Sequence, residues 1–162
     1  MGHMQGRERH IVGAGVFAAA CLLALPAAGE DLPFSYTITD FCTIQIVENG
    51  VLAPSPDLRR LRSRVGDGGS PARLDVLTSA GTFTLTVNAP SAFTSQPAAN
   101  TTPETFRAPF RSTGATVFAE TETPQVLGVG SSNVRVVLIA QKAPGDVFPA
   151  GNYSAIVPVL CE

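Results

Sequence analysis

No long helical pattern exists anywhere after Leu25. Apolar residues instead alternate with polar ones over short runs, and Gly, Pro, Asn or Asp closes each run. Period two places successive side chains on opposite faces of an extended strand. The 162 residues include 15 Gly and 13 Pro, so turns are frequent. Seven to nine short strands with turn signals between them predict an all-β domain, an antiparallel sandwich or a barrel. An outer-membrane barrel needs strands of about 9–11 residues and aromatic girdles. This chain has no Trp and two Tyr.

Leu32, Phe34, Tyr36 and Ile38 alternate with Pro33, Ser35, Thr37 and Thr39, the pattern of a half-buried strand. Residues 42–47, CTIQIV, form a second. Asn49-Gly50 stands between apolar runs, a strong hairpin signal, with Val51 and Leu52 starting the return. Asp57 is placed to cap a short helix carrying Leu58, Leu61 and Val65 on one face, ended by Gly66. Residues 74–78 and 82–87, joined by Ser79, Ala80 and Gly81, read as a hairpin. Residues 88–109 are polar and broken by proline, a long loop pinned by Phe93, Phe106 and Phe110. Strands follow over residues 115–120, 125–129, 133–141 and 152–160. VRVVLIA, residues 134–140, reads as a central strand buried on both faces. Pro158 assigns the last strand to an edge, because proline cannot donate to a ladder.

Residues 1–29 have the layout of a secretory signal. Arg7 and Arg9 lead into an apolar run over residues 11–25, and Ala27-Ala28-Gly29 follows Pro26. The run is short against the roughly 20 residues of a membrane-spanning helix. Cys21 sits mid-run, without the surroundings of a lipidation site. The remainder, residues 30–162, is expected to be one domain, secreted into the periplasm or to the cell surface, with no transmembrane anchor. It contains two cysteines, Cys42 and Cys161. An even count in an exported chain predicts one disulfide.

Removing the leader removes both His and both Met. That excludes Ser-His-Asp and Cys-His catalysis and imidazole metal ligation in residues 30–162. No cofactor, metal or catalytic site is expected. Glu120 and Glu122 could share a strand face, the minimum for paired-carboxylate chemistry, but they read as a solvated face. Asp67, in a Gly-rich turn, is the lone carboxylate there, too few for calcium. Residues 30–162 carry a net charge of −3, so nucleic acid is not an expected partner. Arg59, Arg60, Arg62 and Arg64 are the densest run of charge. They are candidates for contact with an anionic partner such as a surface glycan, or for the solvated side of a short helix.

PAGNYSAIVPVL, residues 149–160, resembles the closing strand of secreted pilin-like domains, as found in the spore coat protein U family and related chaperone–usher subunits. LGVGSSNVRVVLIAQ, residues 127–141, is similar to their penultimate strand. The resemblance covers the last third of the chain well and the middle weakly. It implies an immunoglobulin-like, Greek-key sandwich that is incomplete by one strand, each subunit donating an N-terminal strand to its neighbour's groove. Leu32, Phe34, Tyr36 and Ile38 would then be the donor residues. Like subunits or a periplasmic chaperone would be the partners. A Cys42–Cys161 bridge departs from the family, whose bridges usually link early strands.

Two functions follow as expectations. One is a secreted, non-enzymatic structural or adhesive subunit, pilin- or coat-like, that assembles by β-strand exchange. The other is a stand-alone secreted sandwich that binds an anionic surface ligand or glycan through the Arg59–64 cluster or the 88–109 loop.

Overall fold

The computed structural model describes residue 30 and residues 32–162, in two units that meet after Tyr36. The predicted signal segment, residues 1–29 with Cys21, lies outside the described residues. In the first unit, residues 32–36 form no strand and are exposed.

Residues 37–162 are all β, and every strand pairing among the described residues is antiparallel. In chain order the strands are β1 (Cys42–Glu48), β2 (Ala53–Pro54), β3 (Arg60–Arg62), β4 (Ala72–Thr78), β5 (Thr84–Val87) and β6 (Glu104–Arg107). Then follow β7 (Phe110–Gly114), β8 (Phe118–Thr121), β9 (Gln125–Val126), β10 (Gly130–Val136), β11 (Ile139–Lys142) and β12 (Val159–Cys161). They build a five-stranded sheet in the order β1-β4-β10-β7-β8, a four-stranded sheet β2-β3-β11-β6, and a three-stranded sheet β12-β5-β9.

Alternation determines what faces inward. Leu74 and Val76 of β4, Phe110 of β7, and Val134 and Val136 of β10 are buried on one side. Leu85 and Val87 of β5 meet them from the three-stranded sheet, so the two sheets form a sandwich around one core. The polar groups caught in this core are satisfied. Thr78 Oγ1 donates to the Gly128 carbonyl at 2.6 Å, and Ser132 Oγ accepts from the Thr116 N–H at 3.0 Å. A second cluster joins Leu61, Phe93, Ala140 and Phe148 against the four-stranded sheet. There Tyr153 packs 5.0 Å from Phe93 and donates its hydroxyl to the Pro149 carbonyl at 2.7 Å.

The strand count exceeds seven to nine because long runs switch sheets. Residues 134–140 are central, but they are not one strand. β10 ends at Val136 and β11 begins at Ile139 in another sheet. Their partners β7 and β6 break at Ala108 and Pro109, where the Val137 N–H donates to the Pro109 carbonyl at 2.9 Å. Val136, Val137 and Leu138 are all buried in succession, which strict alternation forbids and a crossing between sheets requires. Residues 88–109 accordingly contain a strand, β6. The last strand shortens to Val159–Cys161, and it is an edge, as Pro158 predicts.

Four local readings are corrected. Residues 32–39 form no strand of their own sheet. Asn49-Gly50 makes no two-residue hairpin: β1 pairs with β4, and Val51 instead bridges Ser70. Residues 74–87 make no hairpin either. β4 and β5 face each other across the core, which buries both apolar faces at once. The helix at Asp57 is absent, since a helix of two turns is marginal without tertiary support. Asp57 holds a turn instead: Leu58 adopts a left-handed φ of 53°, and β3 follows with Leu61 inward. The nearest helical turn is a 3₁₀ segment, Val65–Asp67.

Candidate functional site

β1 and β12 are edge strands of two facing sheets. Cys42 and Cys161 join them through a disulfide with Cα atoms 6.3 Å apart. Both cysteines belong to partly buried positions packed on the sandwich core. The predicted bridge is therefore a staple between sheets at one end of their shared seam.

Beyond the staple the seam is open. A groove of about 550 Å³ runs between β1 and the chain leading into β12. Ile44 and Ile46 line one wall, Val157 and Val159 the other, and Leu74 and Val136 lie at its base. Residues 155–157 belong to no ladder, and β1 has β4 as its one partner strand among the described residues. Ile46 is 66% exposed and Ile156 69%. Ile46 lies on an edge strand and Ile156 in chain outside any ladder, so both present apolar side chains and backbone groups without a neighbour on one side, the condition that invites strand addition.

The donor candidates Leu32, Phe34, Tyr36 and Ile38 are between 68% and 95% exposed. None lies in a strand.

The Arg59–64 cluster is not one patch. Arg60 and Arg62, on alternate positions of β3, line a shallow cleft with Arg107. Arg62 is paired with Asp67 at 2.8 Å, and Arg60 donates to Gln141 Oε1 at 3.2 Å. Arg59 directs its carbonyl to the Lys142 N–H at 3.0 Å. Arg64 reaches a different cleft and pairs with Glu120 at 2.5 Å. Glu122 pairs with Arg107, whose guanidinium is held further toward its charged form by that hydrogen bond and charge. Glu120 and Glu122 thus each face their own arginine.

Sequence reading missed a second arginine set. In the five-stranded sheet, Arg73 of β4 lies opposite Arg135 of β10, and Arg135 lies opposite Arg111 of β7. The alternation of each strand places its arginine outward, but cross-strand register is needed to line them up.

No family model matches this chain, and no curated protein matches it either.

Proposed function

We propose that the chain is an exported, non-enzymatic structural subunit, pilin- or coat-like, that assembles by inserting an extended segment of one copy into the groove of the next. The open apolar groove between β1 and residues 155–159 carries this reading. A strand laid there would pair with one or both free edges and cover Ile46, Ile156 and their neighbours.

The occupant that fits is the segment bearing Leu32, Phe34, Tyr36 and Ile38 of a second copy. Same-face residues of a strand repeat about every 6.7 Å, so these four span about 20 Å. β1 has seven residues and by the same measure also spans about 20 Å, so donor and wall match in length. The segment's exposure and lack of strand pairing leave it free for such use. A like subunit, or a chaperone that holds the groove before assembly, is the partner this reading calls for. The disulfide suits the periplasm or cell surface, where oxidising conditions maintain such bonds. The absence of His and of a free thiol from residues 30–162 favours a structural role over catalysis.

Light scattering on residues 30–162 tests the proposal, alongside the same chain lacking residues 30–39. The longer chain is expected to form oligomers and the shorter one to remain a monomer that binds a peptide of residues 30–40. Phe34→Asp in the peptide, or Ile46→Arg in the groove, should abolish that binding. Equal oligomerisation of both chains, or no binding of the wild-type peptide, would overturn the proposal.

A further inference from the structure

Register brings three arginines into one row across three adjacent strands: Arg73, Arg135 and Arg111. Directly opposed side chains have Cβ atoms about 5 Å apart, and like charges so placed destabilise a sheet. A β-bulge between Ile46 and Glu48 swings Glu48 opposite Arg73 at one end, where the pair closes to 3.1 Å. At the other end Glu120 is taken by Arg64. Arg111 and Arg135 have no carboxylate within ion-pair distance among the described residues, and both are exposed. The Nε of Arg73 is buried without a hydrogen-bond partner.

All six residues, Glu48, Arg64, Arg73, Arg111, Glu120 and Arg135, line one cleft of about 470 Å³. Asp67, also at its rim, is committed to Arg62. Four guanidiniums against Glu48 and Glu120 leave the cleft two positive charges in excess. A sheet that keeps an unfavourable row of like charges breaks a local rule, and such breaks concentrate at functional sites.

We infer that this cleft binds a tetrahedral dianion, a phosphate or sulfate group, between Arg111 and Arg135, with Arg73 and Arg64 completing the charge. Guanidinium forks donate paired hydrogen bonds to such oxyanions, and a tetrahedral group offers enough oxygens for forks from two adjacent strands. A dianion matches the excess charge of the cleft, whereas one carboxylate would leave half of it uncompensated. This site is separate from the groove and does not depend on strand exchange.

Thermal unfolding of the full chain in inorganic phosphate, in sulfate and in chloride at equal ionic strength tests the inference. Phosphate or sulfate is expected to raise Tm saturably, and chloride is not. In R111Q/R135Q the affinity should fall about tenfold or more, the loss expected for charge-assisted hydrogen bonds. Its Tm in chloride should equal or exceed that of the parent, because the like-charge row is relieved. R60Q/R107Q, in the neighbouring cleft, should keep the response. Co-sedimentation with phosphatidylcholine vesicles containing phosphatidic acid separates the sources. Retention that depends on Arg111 and Arg135 assigns a lipid-borne phosphate; a response to free phosphate without retention assigns a soluble one. A Tm rise that does not saturate, or one that survives in R111Q/R135Q, would overturn the inference.

Discussion

Lys142 Nζ donates to Glu104 Oε2 at 2.8 Å with the lysine side chain wholly out of water and the glutamate 9% exposed. Lys142 is the single lysine of the chain. The ammonium also donates to the Thr102 carbonyl and lies 5.1 Å from the centre of the Phe148 ring. It ties β11 to β6, and through them the four-stranded sheet to the loop before β6.

Breaking this pair from one side should be costly, because it strands a charge in the interior. Glu104→Gln is expected to lower the stability by about 3–5 kcal/mol, read from urea unfolding. Replacing both, as Glu104→Leu with Lys142→Met, should cost far less, since the desolvation penalty disappears with the charges. A double variant as unstable as Glu104→Gln would refute the account. In the folded chain Lys142 should also resist amine-reactive labels that modify it after unfolding.

The disulfide closes a loop of sequence separation 119. On chain-entropy grounds, Cys42→Ala with Cys161→Ala should cost about 2–5 kcal/mol. The loss should be visible as a lower midpoint in guanidinium unfolding. Residues 30–162 should show no reactive thiol until reduced.

Gly69 and Gly66 lie three residues apart in environments of opposite kind. A Cβ on Gly69 would stand 2.5 Å from the carbonyl oxygens of both Arg62 and Val51, all backbone. A Cβ on Gly66 meets nothing within 4 Å. Gly69→Ala should therefore destabilise by about 1–3 kcal/mol through forced backbone shifts, and Gly66→Ala should be close to neutral. Thermal melts of the two variants compare them directly.

Two groups set opposite pH limits. Asp57 is held below its ordinary value by the Ser55 hydroxyl and then by the Arg59 N–H. A depressed acid stabilises the fold above its unfolded pKa, and that contribution is lost as pH falls through the folded value. Ser55→Ala should move the Asp57 titration, followed by carboxyl NMR, upward. Tyr153 is raised by burial and then by the charge of Glu104. Its neutral form is favoured in the folded state, so its contribution holds below the unfolded pKa near 10 and is lost as pH climbs through the raised folded value. Tyr153→Phe should flatten that alkaline decline.

The all-β class, the Cys42–Cys161 pair and the edge position beside Pro158 were all legible in the sequence. Each depends on a local property: a two-residue period, an even count of cysteines, a missing N–H. What joins to what depends on distant residues, and local signals mislead there. Asn49-Gly50 suits a hairpin, yet β4 offers β1 a full ladder, and the chain after Gly50 crosses to another sheet. VRVVLIA is apolar enough for one buried strand, but two different sheets share it, and the crossing between them falls within the run. The groove and the arginine row were invisible for the same reason. Ile46 and Val157 are far apart in sequence, as are Arg73, Arg111 and Arg135, and neither set exists until sheet order and register bring its members together. Side-chain chemistry and strand period are carried by the chain itself; adjacency across strands is a product of tertiary packing, because burial of the apolar faces selects which edges meet and which stay open.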